Sequence, residues 1–180
     1  MSQVLILASA SEVRAQLLRK AGVAFDIVPA RVDEEMVREA LLFDRVTPRD
    51  VADALAEIKA RKISEKHPNA LVLGCDQVLD HRGALLTKPD TKQHAIDQLF
   101  ELRNDRHTLL SAAVICENGK PIWRHVGQVR LRMRDATDSY IENYVARNWD
   151  SIRHAVGSYK LEEEGVRLFT RIDGDYFNVL

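Results

Sequence analysis

The chain has 180 residues, 46% hydrophobic and 29% charged, which gives an ordinary globular protein with material for one core. Its 26 Lys and Arg offset 27 Asp and Glu to a formal net charge of -1, so overall charge gives no reason to expect nucleic acid or an anionic membrane as partner. No stretch reaches the ~20 apolar residues of a membrane span, and the start Met1-Ser2-Gln3-Val4-Leu5-Ile6-Leu7 has neither a basic region nor a long apolar run. Cys75 and Cys116, each inside an apolar run, suit two buried thiols in a reducing compartment, and the expectation is a cytoplasmic protein.

Val4-Leu5-Ile6-Leu7-Ala8 is a continuous aliphatic run that predicts a strand covered on both faces. Ser9-Ala10-Ser11 breaks it, and Val13, Leu17 and Ala21 mark the apolar face of a helix ended by Gly22. Residues 25–28 read as a second strand stopped at Pro29, with an acidic loop, Asp33-Glu34-Glu35, just beyond. Thr47-Pro48 supplies a cap and a first-turn proline for a helix with Val51, Leu55 and Ile58 on one face, ended by Pro68-Asn69. Residues 71–75 predict another buried strand, finishing at Asp76.

His81-Arg82-Gly83 reads as a hairpin turn before 84–87, and a helix follows Lys88-Pro89 with Ile96, Leu99 and Phe100 facing inward. Residues 107–116 and 122–133 flank the turn Glu117-Asn118-Gly119-Lys120 as a hairpin. Thr137 caps a helix with Ile141, Tyr144 and Val145 inside, and 166–172 form a late strand ending at Asp173-Gly174-Asp175. Strands mixed with helices, some paired as hairpins, predict an α/β fold: a mixed twisted sheet flanked by helices, in one domain (1–180) of two lobes.

Four places could carry chemistry. Ser9-Ala10-Ser11-Glu12-Val13-Arg14 sits at a strand-to-helix junction, where free N–H groups and the helix dipole suit an anion. A bound phosphate would also explain Arg14 in a first turn that otherwise disfavours a cation; the plainer alternative is an N-cap beside a solvated arginine. Asp76 follows a strand of central type, a position that suits a metal ligand or general base as well as a turn cap. Asp33-Glu34-Glu35 could hold Mg²⁺ through carboxylate oxygens or be a solvated run. Lys88, held extended by Pro89, would project from a helix start as a phosphate ligand must, whereas Lys59 reads by default as surface charge late in its helix. Phosphate-loop, dinucleotide, nucleophile-elbow and zinc patterns are absent from the sequence, and Asp76 has no aspartate two positions on to make the aspartyl-phosphatase D-x-D.

Taken in order, Leu7-Ala8-Ser9-Ala10-Ser11-Glu12-Val13-Arg14, Val32-Asp33-Glu34, Leu55-Ala56-Glu57-Ile58-Lys59-Ala60, Gly74-Cys75-Asp76-Gln77-Val78 and Lys88-Pro89 resemble the Maf family. Ala155-Val156-Gly157-Ser158-Tyr159-Lys160-Leu161-Glu162 and Ile172-Asp173-Gly174-Asp175 continue the match over nearly the whole chain. The resemblance implies an inosine-triphosphatase-like mixed sheet with a cleft between two lobes, frequently a homodimer. It also implies a metal-dependent nucleoside triphosphate pyrophosphatase, in which water attacks the α-phosphate. By position, Asp76 would be the catalytic carboxylate and, with Glu34, would bind Mg²⁺ or Mn²⁺. Ser9, Ser11, Arg14, Lys59 and Lys88 would hold the triphosphate.

Base preference in the family varies at positions matching Val13, Gln77 and Glu162. Gln77, Glu162 and Gly157-Ser158-Tyr159-Lys160 resemble the branch acting on 7-methyl-GTP. Departures are Glu12 in place of proline, Val13 in place of an aromatic and Thr87 in place of glycine. The family also continues past the position of Asn178-Val179-Leu180 into a final helix, expected to be missing from this chain. The same resemblance leaves a house-cleaning enzyme for other non-standard nucleotides and a nucleotide-binding regulator of cell division as alternatives.

Overall fold

The structure is a computed structural model describing residues 4–180; Met1, Ser2 and Gln3, part of the start read above for a leader, lie outside the described residues. The elements are β1 (Leu5–Leu7), α1 (Glu12–Lys20), β2 (Asp26–Ile27), α2 (Glu34–Phe43), α3 (Pro48–Ser64), β3 (Leu71–His81), β4 (Ala84–Leu86), α4 (Lys92–Leu102), β5 (Arg106–Glu117), β6 (Lys120–Met133), α5 (Asp138–Ile152) and β7 (Phe169–Asp173). The strands form a mixed sheet in the order β2-β1-β3-β5-β6-β7, with β4 paired to β3. β1 is parallel to β2 and β3, whereas β4 and β7 lie antiparallel to β3 and β6. This is the mixed-sheet α/β class that the sequence predicts. Among the described residues no helix is long and apolar enough to cross a membrane.

The described residues divide into two compact units. One comprises the chain up to Asp76 together with Ser111–Gly127, the other Gln77–Leu110 with Gln128–Leu180. In the first unit, α3 starts as Thr47-Pro48 predicts: the Thr47 hydroxyl accepts from the Asp50 N–H, and Pro48 fills the first turn. Val51, Leu55, Lys59 and Ile63 form its buried stripe at a spacing of four, beside Ala52, Ala56 and Ala60. Those alanines let β3 come close. A Cβ on Gly74 would stand 2.2 Å from the Ala56 carbonyl oxygen and 2.7 Å from the Ala60 nitrogen, so only glycine fits there. Asp76, two residues on, faces the same side of the strand and therefore faces α3.

In the second unit Val129, Leu131 and Met133 of β6 point inward against Leu99 and Leu102 of α4 and Ile141, Tyr144 and Val145 of α5. The alternate Gln128 and Arg130 are exposed, the pattern of a sheet covered on one face. The β5–β6 hairpin turns on Asn118 and Gly119, whose φ values of 49° and 74° are the left-handed pair a two-residue turn needs.

Several local expectations change. Asp33-Glu34-Glu35 is not a loop: Asp33 caps α2 by accepting from the Met36 N–H, and Glu34 and Glu35 lie in its dipole-favoured first turn. β3 does not finish at Asp76, which is the sixth of its eleven residues; Gln77-Val78-Leu79 continue the strand. α1 buries Ala15, with Val13 and Leu17 only half-buried and Ala21 exposed. Cys75 is half-buried and only Cys116 buried. β2 is short and β7 begins at Phe169, because Val166 and Leu168 lie in the preceding 3-10 turn Glu164–Leu168. Lys88 is not at a helix start, since Thr91 caps α4 by accepting from the His94 N–H.

Candidate active site

The turn from β1 to α1 is organised by its two serines. Ser11 caps α1, its hydroxyl 3.4 Å from the Arg14 N–H, and its own N–H donates to the Ser9 hydroxyl at 3.2 Å. The Arg14 guanidinium does not spread into solvent. It donates to the Cys75 carbonyl at 3.1 Å and lies 3.5 Å from the Ser9 hydroxyl, so β3 sets its direction. Val13, beside it, is half-buried.

Lys59 overturns its default reading as surface charge. It sits mid-helix on the buried stripe of α3, and its ammonium donates to Asp76 Oδ1 at 2.6 Å and to Glu34 Oε1 at 2.8 Å. The Lys59 and Asp76 side chains are 8% and 6% exposed, Glu34 37%, so the first two form a desolvated ion pair with Glu34 at its wet edge. Such a pair is not placed there for stability, because the desolvation of both charges offsets their attraction.

Asp76 carries the imbalance. Burial raises its pKa above the ordinary carboxylate value, against the lowering pull of Lys59 and Arg14. One lobe of its carboxylate is satisfied by Lys59, but the buried Oδ2 has no hydrogen-bond partner. A buried carboxylate oxygen without a partner is a position that a water, a proton or a cation can satisfy.

This arrangement contains a base-like carboxylate, a second carboxylate on the same ammonium, and Arg14 and Lys59 as cations, all within the first unit. Two hard oxygen donors, one of them unsatisfied, suit a divalent cation that takes its other ligands from water and phosphate. Among the described residues no group of three or more His, Cys, Asp or Glu could hold a metal by itself.

The remaining candidates lie in the second unit. Lys88 is exposed between β4 and α4, next to the buried Pro89. The Gln77 amide is half-buried and donates to the carbonyls of Asn178 and Val179 at 3.3 and 2.8 Å. Glu162 is exposed. Glu163 accepts from the Ser151 hydroxyl at 2.8 Å and lies 3.4 Å from the Lys160 ammonium, and Glu164 pairs with Arg147. The run Glu162-Glu163-Glu164 is therefore not uniformly solvated.

The model of the Maf-like protein family matches residues 4–180. Over all 180 residues the chain is 71% identical to a nucleoside triphosphate pyrophosphatase of Roseobacter denitrificans and 67% identical to one of Ruegeria pomeroyi, covering 90% of each relative. A protein of Brucella abortus biovar 1 named 7-methyl-GTP pyrophosphatase is 41% identical over 180 residues, again with 90% of its length covered.

Proposed function

The chain belongs to the Maf family, and we propose on that footing that it is a metal-dependent nucleoside triphosphate pyrophosphatase. The observation that carries the reading is the buried Asp76, tied to Lys59 through one oxygen and unpartnered at the other. Asp76 orients a water molecule and takes its proton as the water oxygen attacks the α-phosphorus. The bond to the α–β bridging oxygen breaks, and pyrophosphate leaves a nucleoside monophosphate behind. A raised pKa suits a group that must accept a proton near neutrality.

Arg14 and Lys59 face the growing negative charge on phosphate oxygens, and Ser9, Ser11 and the α1 N-terminus add donors. Glu34 and Asp76 would hold Mg²⁺ or Mn²⁺, which when bound offsets triphosphate charge as a Lewis acid. Lys88 as a further phosphate ligand, Val13, Gln77 and Glu162 as base-reading residues, and a homodimer rest on the family resemblance, whereas a cytoplasmic location rests on the two free thiols.

Purified protein with Mg²⁺ or Mn²⁺ is expected to convert a nucleoside triphosphate to monophosphate and pyrophosphate. Appearance of the diphosphate nucleotide and orthophosphate would place cleavage at the wrong bond and end the reading. The same cations are expected to raise the Tm of the nucleotide-free protein, with the rise lost in Glu34→Gln. An unchanged Tm with either cation would remove the metal from it.

Substrate choice is read with a nucleotide panel that includes 7-methyl-GTP, the substrate in the name of the Brucella abortus relative. If Glu162 accepts hydrogen bonds from a guanine edge, Glu162→Gln lowers purine kcat/KM by roughly ten- to a hundredfold and spares pyrimidines. Equal losses on every base would take Glu162 out of recognition. Because Glu163 binds Ser151 and lies against Lys160, it is not a neutral control.

A further inference from the structure

Gln98 is an amide on the core-facing side of α4, 4% exposed among Ala95, Leu99 and Leu102. A buried amide needs partners, and this one uses both ends. Its Nε2 donates to the Thr87 carbonyl at 2.9 Å, and its Oε1 accepts from the Ser158 hydroxyl at 2.6 Å. Thr87 O can only accept, which fixes which end is nitrogen. The same Nε2 lies 3.2 Å from His94 Nε2.

The two segments gripped in this way are those assigned above to different tasks. Thr87 immediately precedes Lys88, which has no helix to hold it. Ser158 belongs to Gly157-Ser158-Tyr159-Lys160, and it is fully buried with a φ of 63°, a conformation costly for any residue with a Cβ. Gly157 before it has a φ of 74°, and a Cβ there would stand 2.3 Å from Leu79 Cδ1. This strained turn persists because its surroundings over-determine it, and the Ser158–Gln98 bond is its side-chain restraint beside the backbone bond from the Ser158 N–H to the Ala155 carbonyl. An apolar residue of similar length would pack equally well on α4, so packing alone gives no reason for an amide.

We propose that Gln98 is a positioning residue: one side chain on α4 sets both the backbone that presents Lys88 and the 157–160 turn, so triphosphate binding and base choice are coupled through it. This rests on the pyrophosphatase reading for what the two segments bind, but not for the coupling itself.

The test has two arms. In hydrogen exchange on the intact protein, Gln98→Met is expected to speed the amides of Thr87, Lys88 and Asp90 together with those of Gly157, Ser158 and Tyr159. Gln98→Glu keeps an acceptor for Ser158 but turns an oxygen on the Thr87 carbonyl, so it is expected to speed the first group alone. Faster exchange in neither group, or in the second group alone for Gln98→Glu, overturns the proposal.

In kinetics, Gln98→Met is expected to raise KM for triphosphates about tenfold with little change in kcat. Lys88→Ala should then add less in that background than in the wild type. Fully multiplicative effects, or a fall in kcat alone, overturn it as well. A wild-type protein that releases no pyrophosphate sinks the pyrophosphatase reading instead, and the exchange arm then decides Gln98 by itself.

Discussion

Asp76→Asn is expected to lower kcat by at least about a hundredfold, the usual loss when a general base is removed, while the protein stays folded. Both halves follow from the same observation. Burial outweighs Lys59 and Arg14 in setting the Asp76 pKa, so the ionised carboxylate is held in the fold at a net cost. Asparagine keeps the shape, keeps an oxygen for the Lys59 ammonium at the Oδ1 position, and removes the desolvated charge. Lys59 keeps that oxygen and the Glu34 carboxylate as partners, so the stability loss is expected to be smaller than for removal of the ammonium, and loss of function without unfolding is the signature of a residue retained for chemistry. The measurements are pyrophosphate release under saturating nucleotide and a thermal melt of the same preparation. Turnover within a few-fold of wild type would remove Asp76 from the mechanism, and a collapsed Tm would make it a structural residue.

What the sequence made legible follows from which signals are local. Thr47-Pro48, Thr137 and Asn118-Gly119 act within a few residues of themselves, and α3, α5 and the β5–β6 hairpin stand where those signals put them. Aliphatic runs gave β1 and the first half of β3. α2 is ambiguous in the sequence, because Asp33-Glu34-Glu35 fits an acidic loop as well as it fits an N-cap and first turn ahead of Met36 and Val37.

The site was harder. Lys59 looks like surface charge only if it is judged alone. Placed in the series Val51, Leu55, Lys59, Ile63 it is a lysine on a buried stripe, which demands a partner. That partner, Asp76, lies 17 positions away on a different element, so no spacing rule could name it. Its approach depends on Gly74 passing Ala56 and Ala60, a contact visible only in three dimensions. Gln98 carried no motif, and its role appears only when Thr87 and Ser158 are seen at its two ends.

Lys59→Met is expected to be the most damaging single substitution in the site, for stability as well as activity. Lys59 is the direct hydrogen-bonding cation of Asp76 and also pairs with Glu34. Methionine restores the packing of the stem on α3 and leaves a desolvated carboxylate facing no ammonium. Breaking a buried pair from one side costs about 3–5 kcal/mol, a large part of the ~5–15 kcal/mol that holds a domain folded. Glu34 adds little to that cost, because at 37% exposure water replaces its lost partner.

The expected result is a fall in the urea midpoint with an unchanged slope, and loss of kcat/KM with the phosphate-facing cation. The decisive comparison is the double variant Lys59→Met/Asp76→Asn. Removing both charges deletes the uncompensated carboxylate, so the double variant should regain most of the lost stability and remain inactive. A general packing defect at position 59 predicts the opposite, a double variant at least as unstable as Lys59→Met. That outcome would show that the Lys59–Asp76 pair is not what links α3 to β3.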